Sequence, residues 1–319
     1  MPLNELFIAS WNVENLFDTE NAVRPQKVFN KIKSDIAGWD DTLLDAKLGQ
    51  LSKIIRAMNG GKGPDILGVY EVENRAVLDK LTSRISADGG RTYQVAHADT
   101  SDERGIDVAF LYDPAVASAS EWFQHWIVKR YPTRELFQVN FTVGGQKLVL
   151  VGNHWPSRTA GQYESEPFRI VAGETLAYWI QRIHEELGKD VGIIVMGDFN
   201  DEPFNRSVQE HALGISDDRA VLKGTNYYLL NLMWPIIASG TGSYFYGGRW
   251  NMLDQIMVNK PLLNGKFGWE VKDGVRVECT DIMCCANNPG PRRFGIKPGQ
   301  RDKEGFSDHF PVSVTLQKI

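Results

Sequence analysis

VGIIVMGDFND, residues 191–201, decides the architecture. From Val191 to Met196 no side chain is polar, and four of the six residues are β-branched. Apolar and polar positions do not alternate, so the run reads as a strand covered on both faces, near the middle of a sheet. At Gly197 the chemistry changes: Asp198, Asn200 and Asp201 follow within four residues. A buried strand that releases carboxylates at its carboxyl end puts them where α/β sheets present their ligands.

The same grammar recurs on either side. Leu6–Trp11 runs into Asn12-Val13-Glu14-Asn15, and Asp65–Tyr70 runs into Glu71-Val72-Glu73-Asn74. Lys147–Gly152 ends in Asn153-His154-Trp155-Pro156-Ser157-Arg158. Asp107–Tyr112, Leu253–Val258 and Pro311–Leu316 are further strands, and Gly144-Gly145 between Arg134–Val143 and Gln146–Asn153 predicts a hairpin. Helical stripes separate them. Leu44, Leu48, Leu51, Ile55 and Met58 predict one helix, capped by Asp41 or Thr42 and stopped at Asn59-Gly60-Gly61. Val77, Leu81 and Ile85 predict a short one. A long one is expected to open at Pro167, with Phe168, Val171, Thr175, Trp179, Ile183 and Leu187 inward and Gly188 as its stop. Strands, helices and a hairpin without a linker predict a mixed α/β chain forming one domain over 1–319.

Composition excludes several classes. With 42% hydrophobic and 24% charged positions over 319 residues, the chain is neither disordered nor a disulfide-stapled miniature. No apolar run approaches the ~18 residues of a membrane span, and the first residues lack the pattern of an export leader. The three cysteines, Cys279, Cys284 and Cys285, form no paired framework, which favours a reducing compartment. A cytoplasmic location is therefore the expectation, with a processed secreted form left open. A net charge of −5 argues against nucleic-acid coating by bulk electrostatics, though not against a local patch.

Glu71, Asp198, Asp254 and Asp308 gathered at strand ends would repel one another unless a cation neutralises them or some are protonated. Oxygen donors without cysteine suit Mg²⁺ or Mn²⁺, and the chemistry such an ion serves best is phosphoester hydrolysis. His309 and His154 are the histidines placed to handle protons or developing charge. Glu73 and Asp201 read as turn caps, and His97, His125, His184 and His211 lack a comparable context, His184 being expected at the surface.

Together the motifs WNVEN, YEVEN, GNHWPSR, MGDFND, RWNMLDQI and SDHFPV, spread from residue 6 to 316, resemble the endonuclease/exonuclease/phosphatase superfamily of metal-dependent phosphoesterases related to deoxyribonuclease I. The resemblance implies a four-layer α/β/β/α sandwich of two face-to-face mixed sheets with a divalent-metal site at one end. It assigns Asn12, Glu71 and Asp308 to the metal. Asp198 and Asn200 match the pair that positions or activates water, and Asp254 matches the carboxylate that orients the catalytic histidine, His309. His154 matches a phosphate-contacting position, with Asp107 as its expected partner. Either Asp198 or His309 could serve as general base.

Substrate is read from weaker signals. Where inositol phosphatases carry Cys-Asp-Arg this chain has Leu253-Asp254-Gln255, which argues against phosphoinositides. Residues 286–303 hold Arg292, Arg293, Lys297, Arg301 and Lys303 against Asp302, a net of +4, with six glycines and prolines. That composition predicts an irregular, mobile loop able to cradle phosphates. Arg158 and Arg169 are phosphate-clamp candidates. Trp250, with Tyr244-Phe245-Tyr246, could stack bases or belong to the core. The expected activity is a nuclease-type phosphodiesterase acting on nucleic acid, with no obligate protein partner. A phosphatase or phospholipase-type hydrolase of a small phosphorylated molecule or lipid headgroup is the alternative, and an inactive binding module the remote one.

Overall fold

A computed structural model describes residues 3–286 and 288–319, so residues 1, 2 and 287 of the expected unit lie outside the described residues. In chain order the strands are β1 (Glu5–Leu16), β2 (Ile66–Val72), β3 (Gln94–His97), β4 (Asp107–Tyr112), β5 (Ala117–His125), β6 (Leu136–Val143), β7 (Gln146–His154), β8 (Gly192–Asp198), β9 (Gly214–Ile215), β10 (Leu229–Asn231), β11 (Tyr244–Tyr246), β12 (Arg249–Asn251), β13 (Asp254–Val258), β14 (Trp269–Val277) and β15 (Val312–Lys318). The helices are α1 (Gln26–Ile32), α2 (Asp41–Gly61), α3 (Arg75–Ala87), α4 (Gln162–Leu187), α5 (Asp218–Lys223) and α6 (Trp234–Ala238). One sheet has the order β14-β15-β1-β2-β4-β3, the other β5-β6-β7-β8-β13-β10-β9. Both are mixed: β1 runs parallel to β2 and antiparallel to β15, while β8 runs parallel to β7 and antiparallel to β13.

Alternation along β1 shows how the layers form. Leu6 and Ile8 enter the core between the sheets, whereas Phe7, Ala9, Trp11 and Val13 enter a second core shared with α2 and α3. A third core joins the outer face of β7 and β8 to α4. The result is four layers, α/β/β/α. Across the middle, Phe110 of β4 stacks on Phe137 and meets Phe141 edge-on, with centroids 6.0 and 5.9 Å apart. A Cβ on Gly152 would lie 2.6 Å from Val108 Cγ1, so that glycine sets how closely the sheets approach. Strand β8 is buried along its whole length, as its unbroken apolar run requires.

Four local expectations need correction. Asp40, not Asp41 or Thr42, caps α2, accepting the Leu43 N–H at 2.9 Å. Helix α4 begins at Gln162, with Pro167 inside it. Its buried stripe is Arg169, Ala172, Leu176, Ile180 and Ile183; of the expected stripe Ile183 is buried and Val171 and Leu187 pack partly buried against the same core, whereas Phe168, Thr175 and Trp179 lie one position off it. A buried arginine on that face broke the apolar pattern. His184 is buried as well, against Asn259 and the Gly188 carbonyl. Among the described residues no helix is long and apolar enough to cross a membrane.

Candidate active site

Strands β1, β2, β7, β8 and β13 bring their polar ends to one end of the sandwich. Asn12 sits on the inward face of β1, just before the chain turns through left-handed Glu14 and Asn15 at φ 55° and 47°. Its Nδ2 donates to Asp198 Oδ2 across the two sheets at 3.1 Å, and its Oδ1 accepts the Glu14 N–H. Glu71, also left-handed at φ 65°, accepts the Asn15 N–H through Oε2. Its Oε1 lies 3.6 Å from His154 Nε2. Asp198 has Oδ1 committed to the Asn200 N–H at 2.8 Å, so Oδ2 is the oxygen that faces the histidines. It stands 3.8 Å from His154 Nε2 and 3.9 Å from His309 Nε2. Asn200 is itself left-handed and donates from Nδ2 to the Trp155 carbonyl.

His309 Nδ1 pairs with Asp254 Oδ2 at 2.6 Å, which leaves Nε2 toward Asp198 and, at 4.0 Å, Asp308 Oδ1. Asp254 is 0% exposed; Ser243 Oγ donates to the same Oδ2, while Oδ1 has no hydrogen-bond partner. Tyr244, backbone-bridged to His309, lays its ring 4.7 Å from the imidazole.

Electrostatics follow from this crowding. Burial foremost, with Asp254 and Glu71 adding repulsion, pushes Asp198 up to about 6. Burial, then Glu14 and Glu71, pushes Asp308 up to about 7. Burial alone would lower His309, but Asp254 beside it, through charge and hydrogen bond, and then Asp198 hold it well above its ordinary value. His154 moves the opposite way, lowered by burial and by Arg134 and Arg104, so its imidazole is neutral.

Asn12, Glu71 and Asp308 supply one amide and two carboxylates, an all-oxygen set whose chemistry fits Mg²⁺ or Mn²⁺. Acids raised first by burial and then by the carboxylates crowded around them are the observation that favours a cation there. Among the described residues the tightest group of titratable donors lies elsewhere, at His97, Asp99 and Asp107. Two of its members satisfy each other, Asp107 taking His97 Nε2 at 2.8 Å and the Thr100 N–H at 2.8 Å, while Asp99 is exposed and stands 3.9 Å from His97 Nε2.

That pairing corrects one expectation, since Asp107 serves His97 and not His154, whose Nδ1 is buried without a partner. Other expected substrate contacts are also spent inside the fold. Arg169 is 0% exposed, with Nε 2.8 Å from Asp201 Oδ2. Arg158 braces the loop after β8, donating to the Asn200 carbonyl and to the side chains of Asp201 and Asn205. Trp250 packs between Phe245 and Phe310. Arg292 is held by Asp302 and Glu304, and the 286–303 segment is pinned by buried Phe294 and Ile296, so it is irregular but not a free cradle. Arg293 alone keeps a half-exposed side chain beside the acids, 2.7 Å from Glu14 and 3.8 Å from Asp308.

Two contributors escaped the sequence. Ser243 reaches Asp254 from a neighbouring hairpin, and Arg134 fixes the turn after β7 through the His154 and Trp155 carbonyls. Neither carries a local signal, because each acts through a contact made only in three dimensions.

Among curated proteins none matches the sequence significantly. Solved structures do resemble it. D. rerio TDP2, humanized by 14 mutations, superposes with a TM-score of 0.60 at 15% identity, over 98% of this chain and 99% of its own. A mannosyl-6-phosphatase from Bacteroides thetaiotaomicron gives 0.58 at 16% identity, over 98% and 99%. The human Nocturnin catalytic domain with a bound sulfate anion gives 0.54 at 14%, over 99% and 95%. These likenesses establish the shared α/β sandwich. The family assignment comes from the sequence model of the Endonuclease/Exonuclease/phosphatase family, which matches residues 7–318, essentially the whole chain, and so this protein belongs to that family of phosphoester hydrolases.

Proposed function

We propose that the protein is a divalent-metal-dependent phosphodiesterase whose substrate is nucleic acid. The observation that carries the hydrolytic part is the Asp254–His309 pair aimed at Asp198 Oδ2. Asp198, raised toward neutrality, is suited to take a proton from water at Oδ2 while Asn200 holds its other oxygen. His309, kept protonated by Asp254, meets the negative charge that grows on the phosphoryl oxygens through Nε2. Neutral His154, with Nε2 3.8 Å from the same Asp198 oxygen, is placed to donate to the phosphoryl group as well. Mg²⁺ or Mn²⁺ held by Asn12, Glu71 and Asp308 would polarise the phosphoryl oxygen. This division makes Asp198 the general base and His309 the charge stabiliser.

The nucleic-acid part rests on the β11–β12 hairpin. Tyr246 is 71% exposed and stacks on Tyr244, with centroids 6.3 Å apart, and Tyr244 leans over His309. A flat aromatic face leading to the catalytic histidine suits a base next to the scissile phosphate. A second reading, a phosphatase of a small phosphorylated molecule, is favoured by the internal neutralisation of Arg292, which leaves Arg293 as the main cation at the mouth.

One paired assay tests both. Plasmid nicking and release of inorganic phosphate from small monoesters are measured with Mg²⁺ or Mn²⁺ and again with excess chelator. Nicking that requires metal and falls in Tyr246→Ala supports the diesterase. Phosphate release without nicking transfers the assignment to the phosphatase, and full turnover in chelator overturns the metal mechanism.

A further inference from the structure

The three cysteines take no part in the chemistry above, and they are not equivalent. Strand β14 ends at Val277, and a single 3₁₀ turn, Asp281–Met283, folds the chain back soon after it. That turn brings Cys279 Sγ to 3.5 Å from Cys284 Sγ. Both thiols also face the Thr280 carbonyl, at 4.0 and 3.6 Å. Cys285 is kept apart, donating from Sγ to the Pro291 carbonyl at 3.2 Å. Sequence spacing alone does not choose between Cys284 and Cys285 as the neighbour of Cys279; the fold does.

Backbone contacts hold the two sulfurs in this relation from both sides. Before the turn, the Glu278 N–H donates to the Pro311 carbonyl at 2.8 Å and the Cys279 N–H to the Val277 carbonyl. After it, Cys284 is bridged to Pro291, and the Met283 carbonyl accepts the Arg292 N–H at 2.6 Å. Between them Met283 is buried in the core shared with α2 and α3, and Cys284 packs against the same core. A disulfide needs its sulfurs about 2.0 Å apart, so closure asks for ~1.5 Å of side-chain rotation and leaves these anchors in place. Cys279 is exposed and Cys284 half-buried, so a small reagent reaches the pair. Burial, and then Cys284 beside it, pushes the Cys279 thiol up to about 12. Cys279 therefore stays protonated, and Cys284 is the thiol that attacks first.

We propose that Cys279 and Cys284 form a reversible thiol–disulfide site, oxidised by a low-molecular-weight disulfide of the glutathione type. The Cys284 sulfur attacks one sulfur of that oxidant, forming a mixed disulfide and releasing one small thiol. The Cys279 sulfur then gives up its proton and attacks the Cys284 sulfur, releasing the second small thiol. Two protein thiols are oxidised, and one small disulfide is reduced to two thiols. The closed bond ties the end of β14 to the segment that leads into Asp308. It is independent of the phosphoester chemistry proposed above.

Mass spectrometry of the full chain, incubated with oxidised glutathione in excess over reduced and then digested, tests this. Fragmentation should place a bond, lighter by two hydrogen atoms, between Cys279 and Cys284, and dithiothreitol should reverse it. Cys279→Ser should stop at the mixed disulfide, with glutathione retained on Cys284. Cys285→Ser should form the same bond as the wild type. A bond that fits the native turn restricts only the unfolded chain, so the oxidised wild type should melt above the reduced one. The same treatment of Cys279→Ser should give no such rise. A bond to Cys285, no bond within the chain, or an oxidised wild type that melts no higher than the reduced one overturns the proposal.

Discussion

Asp254 illustrates how one residue sets the protonation of another. Its carboxylate is out of water, one oxygen holds both Ser243 and His309, and the other holds nothing. A buried charge kept in that state depends on the imidazolium opposite, so the two residues form a unit. Asp254→Asn conserves the volume and removes the charge that raises His309. The variant should therefore lose turnover by about 10²–10⁴-fold while remaining folded. The His309 titration, followed by NMR on the metal-free protein, should fall toward the ordinary histidine range. An unmoved titration would show that Asp254 does not govern His309, whatever happens to the rate.

At the scale of elements, the segment before Asp308 departs most from its sequence. Its glycines, prolines and arginines predict a mobile basic loop, yet Glu14 of β1 gathers the Phe294 and Gly295 N–H groups and the Arg293 guanidinium. Arg301 lies over Trp39 and donates to the Ile296 and Ala37 carbonyls. The loop is a clasp between β1 and the α2 layer. Glu14→Gln should speed amide exchange across 293–296 and lower the melting temperature, because a buried acceptor of several donors loses its charge. Arg292→Glu breaks only a half-exposed pair, costs at most about 1 kcal/mol, and should leave KM on nucleic acid nearly unchanged. A large rise in KM from Arg292→Glu alone would restore the cradle. The contrast marks what composition can carry. Strand ends were legible because β8, β2 and β1 each switch from apolar to acidic within one or two residues. The α4 face and this clasp were not, because Arg169 and Glu14 are charged residues whose burial depends on partners far along the chain: Asp201 for one, Arg293 and the 294–295 backbone for the other.

For the whole molecule, the acidic end stores a cost that a cation would release. Asp198 at about 6 and Asp308 at about 7 hold protons more tightly than unfolded carboxylates do. Unfolding the metal-free protein near neutrality therefore releases protons, and its stability should rise as pH falls from 8 toward 6.5. His309, raised in the fold, acts in the same direction. Below 6.5 the sign reverses in part, because His154, His125 and His184 are lowered by burial and must take up protons on unfolding. Metal-free stability should thus peak on the acid side of neutrality. A bound cation keeps Asp308 and its neighbours ionised in the folded state and stabilises that state by mass action. Melting curves at pH 8 and pH 6, with and without saturating Mg²⁺ or Mn²⁺, should therefore show the larger metal-induced rise at pH 8. At pH 6 protons already occupy part of the acidic cluster and must leave before the ion can enter. A rise that is equal at the two pH values, or larger at pH 6, would mean that the ion does not bind among these carboxylates.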